Sequence, residues 1–327
     1  MDAVIGLTAV VVAAVGSTAA AVAVGSTAAV AAAGSTAEQP VVAAGSTDAK
    51  PACYFIIQLV PDESFVTLAL LPPAPAESHA GGPFFVIVKL REEFFHWLNH
   101  PHPDLVGIQV EDLMGDPEVW ALAAQGPGEI PLDVILKDPA TEFSALYRLA
   151  DVRLVRPVRV TIPALPGLRK ALRLAASLQL PVRILPGQPD AKALLEMTAA
   201  VDFYLRDSMV DAPIEPFHSV FAALRGMTEG NLWEFLDQDP ALCSKHDEAD
   251  QPLQAPDFVQ SHFADLFQKG GECTTCPWQD LCAGYFKWPD PTYDCGEVKS
   301  LFNLLESAAR EITHDLATLS PATPSIS

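Results

Sequence analysis

Four cysteines stand close together near the C-terminus. Three lie in Cys273-Thr-Thr-Cys276-Pro-Trp-Gln-Asp-Leu-Cys282, and Cys295 follows after a longer loop. The spacing is C-x2-C-x5-C-x12-C, so four of the six cysteines fall within 23 residues. Two thiolates separated by two residues can turn their sulfurs to one point, because a tight turn joins them. Four convergent thiolates can hold a zinc ion or an iron–sulfur cluster. Either would hold together a segment with too little apolar material for a large core of its own. Disulfides, zinc and a [4Fe–4S] cluster are all open on this spacing. No export signal is evident, which ranks disulfides last. Spacing alone favours zinc. Pro277 directly after Cys276, and the aromatic run Trp278, Tyr285, Phe286, Trp288 and Tyr293, favour the cluster, because an apolar cover limits water there. Ordinary packing accounts for the same aromatics.

This arrangement resembles the SPASM domain, the C-terminal extension of radical S-adenosylmethionine enzymes that modify ribosomal peptides. The likeness covers residues from about 258 to the C-terminus. It implies that Cys273, Cys276, Cys282 and Cys295 bind one auxiliary [4Fe–4S] cluster. The family's inner cluster takes a cysteine where this chain has Phe286, together with an upstream C-x9–15-G-x4-C pair, whereas Cys243 stands alone in that region. One cluster, not two, is therefore the expectation.

The segments ahead of the cysteines must position them. A chain of 327 residues suffices for two domains, or one barrel with an appendage. From Phe84 onward, apolar runs alternate with helical patterns. Strand candidates are Phe84–Leu90, Leu105–Val110, Leu132–Leu136, Val155–Ile162, Val182–Leu185 and Phe203–Leu205. The intervening helices are expected at Arg91–Asn99, Pro117–Ala124, around Phe143–Leu149, Leu168–Leu178 and Ala191–Ala199. Apolar runs bracketed by helices indicate parallel strands buried on both faces. The expected fold is α/β: a partial (βα)6 TIM-like barrel, then a small cysteine-rich module and a C-terminal amphipathic helix over Val298–Leu316. The domain reading is 51–210 for the barrel, 211–256 for a helical bridge and acidic loop, and 257–327 for the cysteine module. Tyr54–Val60 and Phe65–Leu71 read as two further strands, and Cys53 as a buried free thiol.

The radical S-adenosylmethionine fold is also a partial (βα)6 barrel, so the strand count agrees with the resemblance. A working member needs C-x3-C-x2-C after its first barrel strand. Here that stretch reads Arg91-Glu-Glu-Phe-Phe-His96-Trp-Leu-Asn-His100, and the motif occurs nowhere in the chain. The family's Gly-Gly-Glu segment after the second strand is replaced by Val110-Glu-Asp-Leu-Met-Gly115. The resemblance thus implies a degenerate barrel. S-adenosylmethionine is not expected as a cofactor, and autonomous radical chemistry is not expected. The implied role is accessory: assisting a separate radical enzyme on a precursor peptide by docking or electron relay. A zinc- or cluster-stabilised peptide-binding module without redox duty is the alternative.

Other candidates are weaker. His96 and His100 would share a helix face, with His102 and Asp104 beyond, and exposed turn histidines are the plainer interpretation. Glu111 and Asp112 follow a strand, where barrel sites gather, but solvated loop carboxylates are commoner. The net charge of -21 argues against nucleic acid and against anionic membrane surfaces, and is compatible with a basic peptide. Cysteine usage fits a reducing cytoplasm. Residues 1–50 carry Gly-Ser-Thr at Gly16, Gly25, Gly34 and Gly45 between Ala/Val runs, a low-complexity extension expected to be disordered.

Overall fold

The computed structural model describes residues 65–69, 84–125, 128–246 and 253–319. The readings for residues 1–50, Cys53 and Tyr54–Val60 lie outside the described residues.

Among the described residues, eight strands form one parallel sheet. They are β1 (Phe65–Ala69), β2 (Phe84–Val88), β3 (Leu105–Val110), β4 (Leu132–Ile135), β5 (Val158–Pro163), β6 (Val182–Leu185), β7 (Ile214–Glu215) and β8 (Cys243–His246). The order across the sheet is β7-β6-β5-β4-β3-β2-β1-β8, and every neighbouring pair is parallel. Parallel neighbours in sequence order need a crossover between each pair. Helices supply most of them: α1 (Arg91–Asn99), α2 (Pro117–Ala123), α3 (Pro139–Glu142) with a 3-10 turn and α4 (Leu149–Val152), α5 (Leu168–Ser177) and α6 (Ala191–Arg206). The architecture is α/β and consistent with a partial α/β barrel, since no ladder joins β7 to β8 among the described residues.

Helix starts follow from capping chemistry. Asp116 accepts the Glu118 and Val119 N–H groups ahead of Pro117, and Asp138 accepts from Ala140 ahead of Pro139. A side-chain oxygen at this position satisfies donors the helix cannot, a contribution of about 1 kcal/mol, and proline at the first turn loses no bond.

The expected strand at Phe203–Leu205 is instead the last turn of α6. Asp190 caps that helix, and Ala193, Met197, Ala200 and Val201 keep a 3.6-residue stripe buried, which carries Phe203 to the same face. Three apolar residues cannot override that period. The strand next to β6 is β7, only two residues long. The helical part of the bridge expected over 211–256 therefore opens with a strand, followed by α7 (Phe217–Leu224) and α8 (Leu232–Phe235). The acidic loop expected in the rest of that bridge contains β8, which pairs with β1. Beyond it come α9 (Phe258–Gln268), α10 (Gln279–Cys282) and α11 (Gly296–Leu319).

The two sheet faces differ in chemistry. Val86, Ile108, Val134, Val160 and Ile184 share one face and are fully buried. On the other, the register aligns Gln109 with Asp133 and Arg159, then Thr161 with Arg183 and Glu215. One core runs from the sheet into the cysteine segment, with α11 packed against α6 and α7. No helix among the described residues is long and apolar enough to cross a membrane.

Candidate metal centre

The cysteine segment is a series of short turns held from outside. Gly270, at φ 66, ends α9. A 3-10 turn over Glu272–Thr275 carries Cys273, and the Cys276 N–H bonds back to the Cys273 carbonyl at 3.3 Å. The short helix α10 ends at Cys282. Ala283 (φ 46) and Gly284 (φ 72) then reverse the chain through left-handed conformations. Gly284 is required twice over, because a Cβ there would lie 2.7 Å from Leu266 Cδ1. Two neighbours lock this reversal: Trp233 Nε1 donates to the Ala283 carbonyl at 3.0 Å, and His262 Nε2 to the Gly284 carbonyl at 3.2 Å.

Cys273, Cys276, Cys282 and Cys295 all line one pocket, whose walls include Trp278, Phe286, Val298 and Phe302. All four are free thiols. Trp278 and Phe302 stack with centroids 5.7 Å apart. Burial pushes the Cys282 thiol up to about 11 and the Cys295 thiol up to about 12. Binding an inorganic centre must therefore displace protons. Among the described residues no three His, Cys, Asp or Glu side chains form a group that could hold a metal ion. The four cysteines line one pocket but do not form a group that could hold a single ion. A cubane carries one thiolate on each of four irons, so its ligands stand around a body larger than an ion. The donor set fits that group: four free sulfurs around an apolar-walled space.

Glu272 ties the ligand-bearing segments together. Its carboxylate accepts the Cys295 N–H at 3.3 Å and the Lys299 ammonium of α11 at 2.7 Å. Lys287, five residues past Cys282, reaches the same carboxylate at 2.5 Å and also donates to the Tyr293 carbonyl. Partial burial opposes ionisation of Glu272, but the hydrogen bonds from Lys287 and then Lys299 outweigh it and bring the carboxyl down to about 2. One residue thus joins the segments around Cys273, Cys282 and Cys295.

A second polar centre lies on the charged sheet face. Asp133 and Asp237 alternate with Arg159 and Arg183. Arg159 contacts Asp133 at 3.0 Å and Asp237 at 2.8 Å; Arg183 contacts Asp237 at 2.8 Å and also reaches Asp133. Thr161 donates to Asp133 at 2.6 Å and accepts from Arg183 Nε at 3.1 Å. Two carboxylates and two guanidinium groups cancel to zero net charge, and they bond to one another. Burial alone would raise the Asp133 carboxyl; the charges of Arg159 and Arg183 bring it down to about 2. The quartet lines a pocket on this face together with Phe85, Gln109 and Gln238, its four ions paired with one another.

Above this layer a chamber of about 350 Å³ lies between the end of β6 and the cysteine segment. Trp233, Tyr285 and Trp288 give it aromatic walls, and Gln238 and Gln254 give it amides. The Tyr285 hydroxyl donates to Gln238 Oε1 at 2.8 Å, joining the segment following β7 to the cysteine loop.

The remaining candidates do not assemble. His96 and His100 do share a face of α1, with ring centroids 5.6 Å apart, but no third ligand joins them among the described residues. His102 pairs with Asp104 at 3.6 Å. Glu111 pairs with Lys89 at 3.3 Å, and Asp112 with Lys137 at 2.5 Å. Cys243, the lone cysteine where the resemblance would call for an upstream pair, is disulfide-bonded. The charged quartet and Glu272 were missed by sequence reasoning. A period-2 signal for the quartet was present: Gln109, Asp133, Arg159, Thr161 and Arg183 interrupt successive apolar strands at alternate positions. Neither a protein-family model nor a curated protein nor a solved structure matches this chain.

Proposed function

We propose that this chain is an iron–sulfur accessory protein of the SPASM type. Cys273, Cys276, Cys282 and Cys295 hold one [4Fe–4S] cluster, and the body ahead of them is a degenerate partial barrel. The observation that carries the reading is the common pocket: four free thiols in an aromatic-walled space, on turns fixed by Trp233, His262 and Glu272. When bound, the cluster supplies a one-electron store. The chain's own residues shield it: Trp278, Phe286 and Phe302 restrict water on its flank.

Two features support an accessory rather than autonomous role. The stretch after β2 offers no cysteine for a radical-initiating cluster. The sheet face that would carry chemistry in a barrel is occupied by the mutually paired quartet. The chamber beside the cysteine segment is the place for a peptide side chain from the substrate of a separate radical enzyme. Its aromatic walls and the net charge of -21 favour a basic peptide.

Anaerobic purification followed by iron, sulfide and zinc analysis tests the cofactor. The expected protein is brown, contains iron and acid-labile sulfide, and loses its broad visible absorption with dithionite. A colourless protein with one zinc would replace this reading with that of a structural module. Trp288→Ala tests the chamber: affinity for basic peptides of the partner system should fall while iron content stays.

A further inference from the structure

Two ammonium groups and one carboxylate stand at the edge of the cysteine pocket as a single bonded unit. Lys287 is 7% exposed, although lysine is almost never buried without a partner. Its partners are the Glu272 carboxylate at 2.5 Å and the Tyr293 carbonyl. Lys299 completes the unit from α11 at 2.7 Å. Glu272, Lys287 and Lys299 all line the same pocket as the four sulfurs. The unit carries a net charge of +1 beside a donor set that becomes strongly negative on ionisation.

We propose that this clip sets the charge environment of the centre and through it the centre's reduction potential, raising it above that of an uncompensated four-thiolate site. The inference rests on the iron–sulfur reading above. Reduction adds one electron and needs no proton, so it makes the centre more negative by one unit. A nearby fixed positive charge therefore stabilises the reduced form more than the oxidised one. Lys287 is withdrawn from water, so salt and solvent screen it little. Lys299 is the more exposed of the pair, with 30% of its side chain accessible, and acts more weakly. Glu272 works in the opposite direction while holding both cations in place. Its neutral amide counterpart keeps an oxygen for the Cys295 N–H, so charge and positioning can be separated.

The test is a spectroelectrochemical titration of the iron-loaded full chain, with dithionite as one-electron donor and iron and sulfide counted per chain. Lys287→Gln should lower the midpoint potential by roughly 59 mV, a tenfold change in a one-electron equilibrium. Lys299→Gln should lower it by less, and Lys287→Arg should leave it near the wild-type value. Glu272→Gln should raise it. Opposite signs for the lysine and glutamate variants are the signature of charge control. Shifts of one common sign, no shift, or loss of iron from both lysine variants would make the clip a structural latch only and overturn the proposal. A wild-type protein without iron would instead overturn the cofactor reading beneath it.

Discussion

Asp133 and Arg159 stand opposite each other in register on β4 and β5, joined at 3.0 Å, and are 3% and 5% exposed. An ion pair so far from water stays only because each charge is answered more than once. Arg159 also meets Asp237, and Asp133 also meets Arg183. Removing one member leaves the others buried and underpaired, which costs about 3–5 kcal/mol in comparable sites. Asp133→Ala should therefore lower the urea midpoint of the α/β body by an amount in that range. A change below about 1 kcal/mol would mean that water enters and replaces the carboxylate.

The same carboxylate predicts an acid limb. Its folded pKa is about 2, below an unfolded value near 3.9. Its stabilisation is complete above about pH 4 and is lost as pH falls through 2, an effect of roughly 2–3 kcal/mol. In Asp133→Asn that limb should be shallower. Urea curves from pH 2 to 5 measure the difference.

Glu215 gives the opposite sign. Burial, with Asp237 adding to it, raises its carboxyl to about 7 against the hydrogen bonds from Ser219 and the charge of Arg159. The folded state then keeps a proton that the unfolded state releases near pH 4.3. Stability is greatest below that pH, declines as pH climbs towards 7, and levels off beyond. The expected loss is roughly 3–4 kcal/mol. Glu215→Gln should remove this slope, so variant and wild type should diverge with rising pH. Parallel curves between pH 4 and 8 would show that Glu215 ionises normally.

These centres mark the limit of what the sequence displays. Strands β2 to β6 were legible because apolar runs such as Phe84–Val88 and Val182–Leu185 stand between periodic helices. Strand β7 was not, because Ile214–Glu215 offers only two residues, and β8 was not, because Cys-Ser-Lys-His has no apolar run. Their pairing comes from neighbouring strand edges rather than from local propensity. That Cys273, Cys276, Cys282 and Cys295 could share one pocket was suggested by their spacing. Glu272 was not, since its role depends on Lys287, Lys299 and Cys295 arriving from three later segments.

Gly284 offers a test of how the cysteine loop is held. Alanine there must adopt φ 72 and meet Leu266 Cδ1 at 2.7 Å. The left-handed conformation alone costs about 1–2 kcal/mol, and Leu266 must also move. Gly284→Ala should therefore loosen the turn between Cys282 and Phe286 and reduce iron per chain. Gly187 is the control: it also has positive φ, at 54, but a Cβ there would meet nothing within 4 Å. Equal iron loss in Gly187→Ala would show that the loop responds to general destabilisation rather than to its own geometry.

Removing the metal should act locally before it acts globally. Without iron, the raised thiol pKa values keep Cys282 and Cys295 protonated near neutral pH, so no charged sulfur draws the turns inward. What remains is the Glu272 clip, the hydrogen bonds from Trp233 and His262, and the contact of Trp278 with Phe302. The α/β body keeps its own ladders and its quartet, none of which uses a cysteine ligand. Hydrogen exchange after chelation should therefore rise across residues 272–299 while amides in β4, β5 and β6 hold their protection. Restoring iron and sulfide should reverse the change. Loss of protection in β4–β6 at the same rate would mean that the continuous core makes the body and the cysteine segment one cooperative unit, with the metal stabilising both.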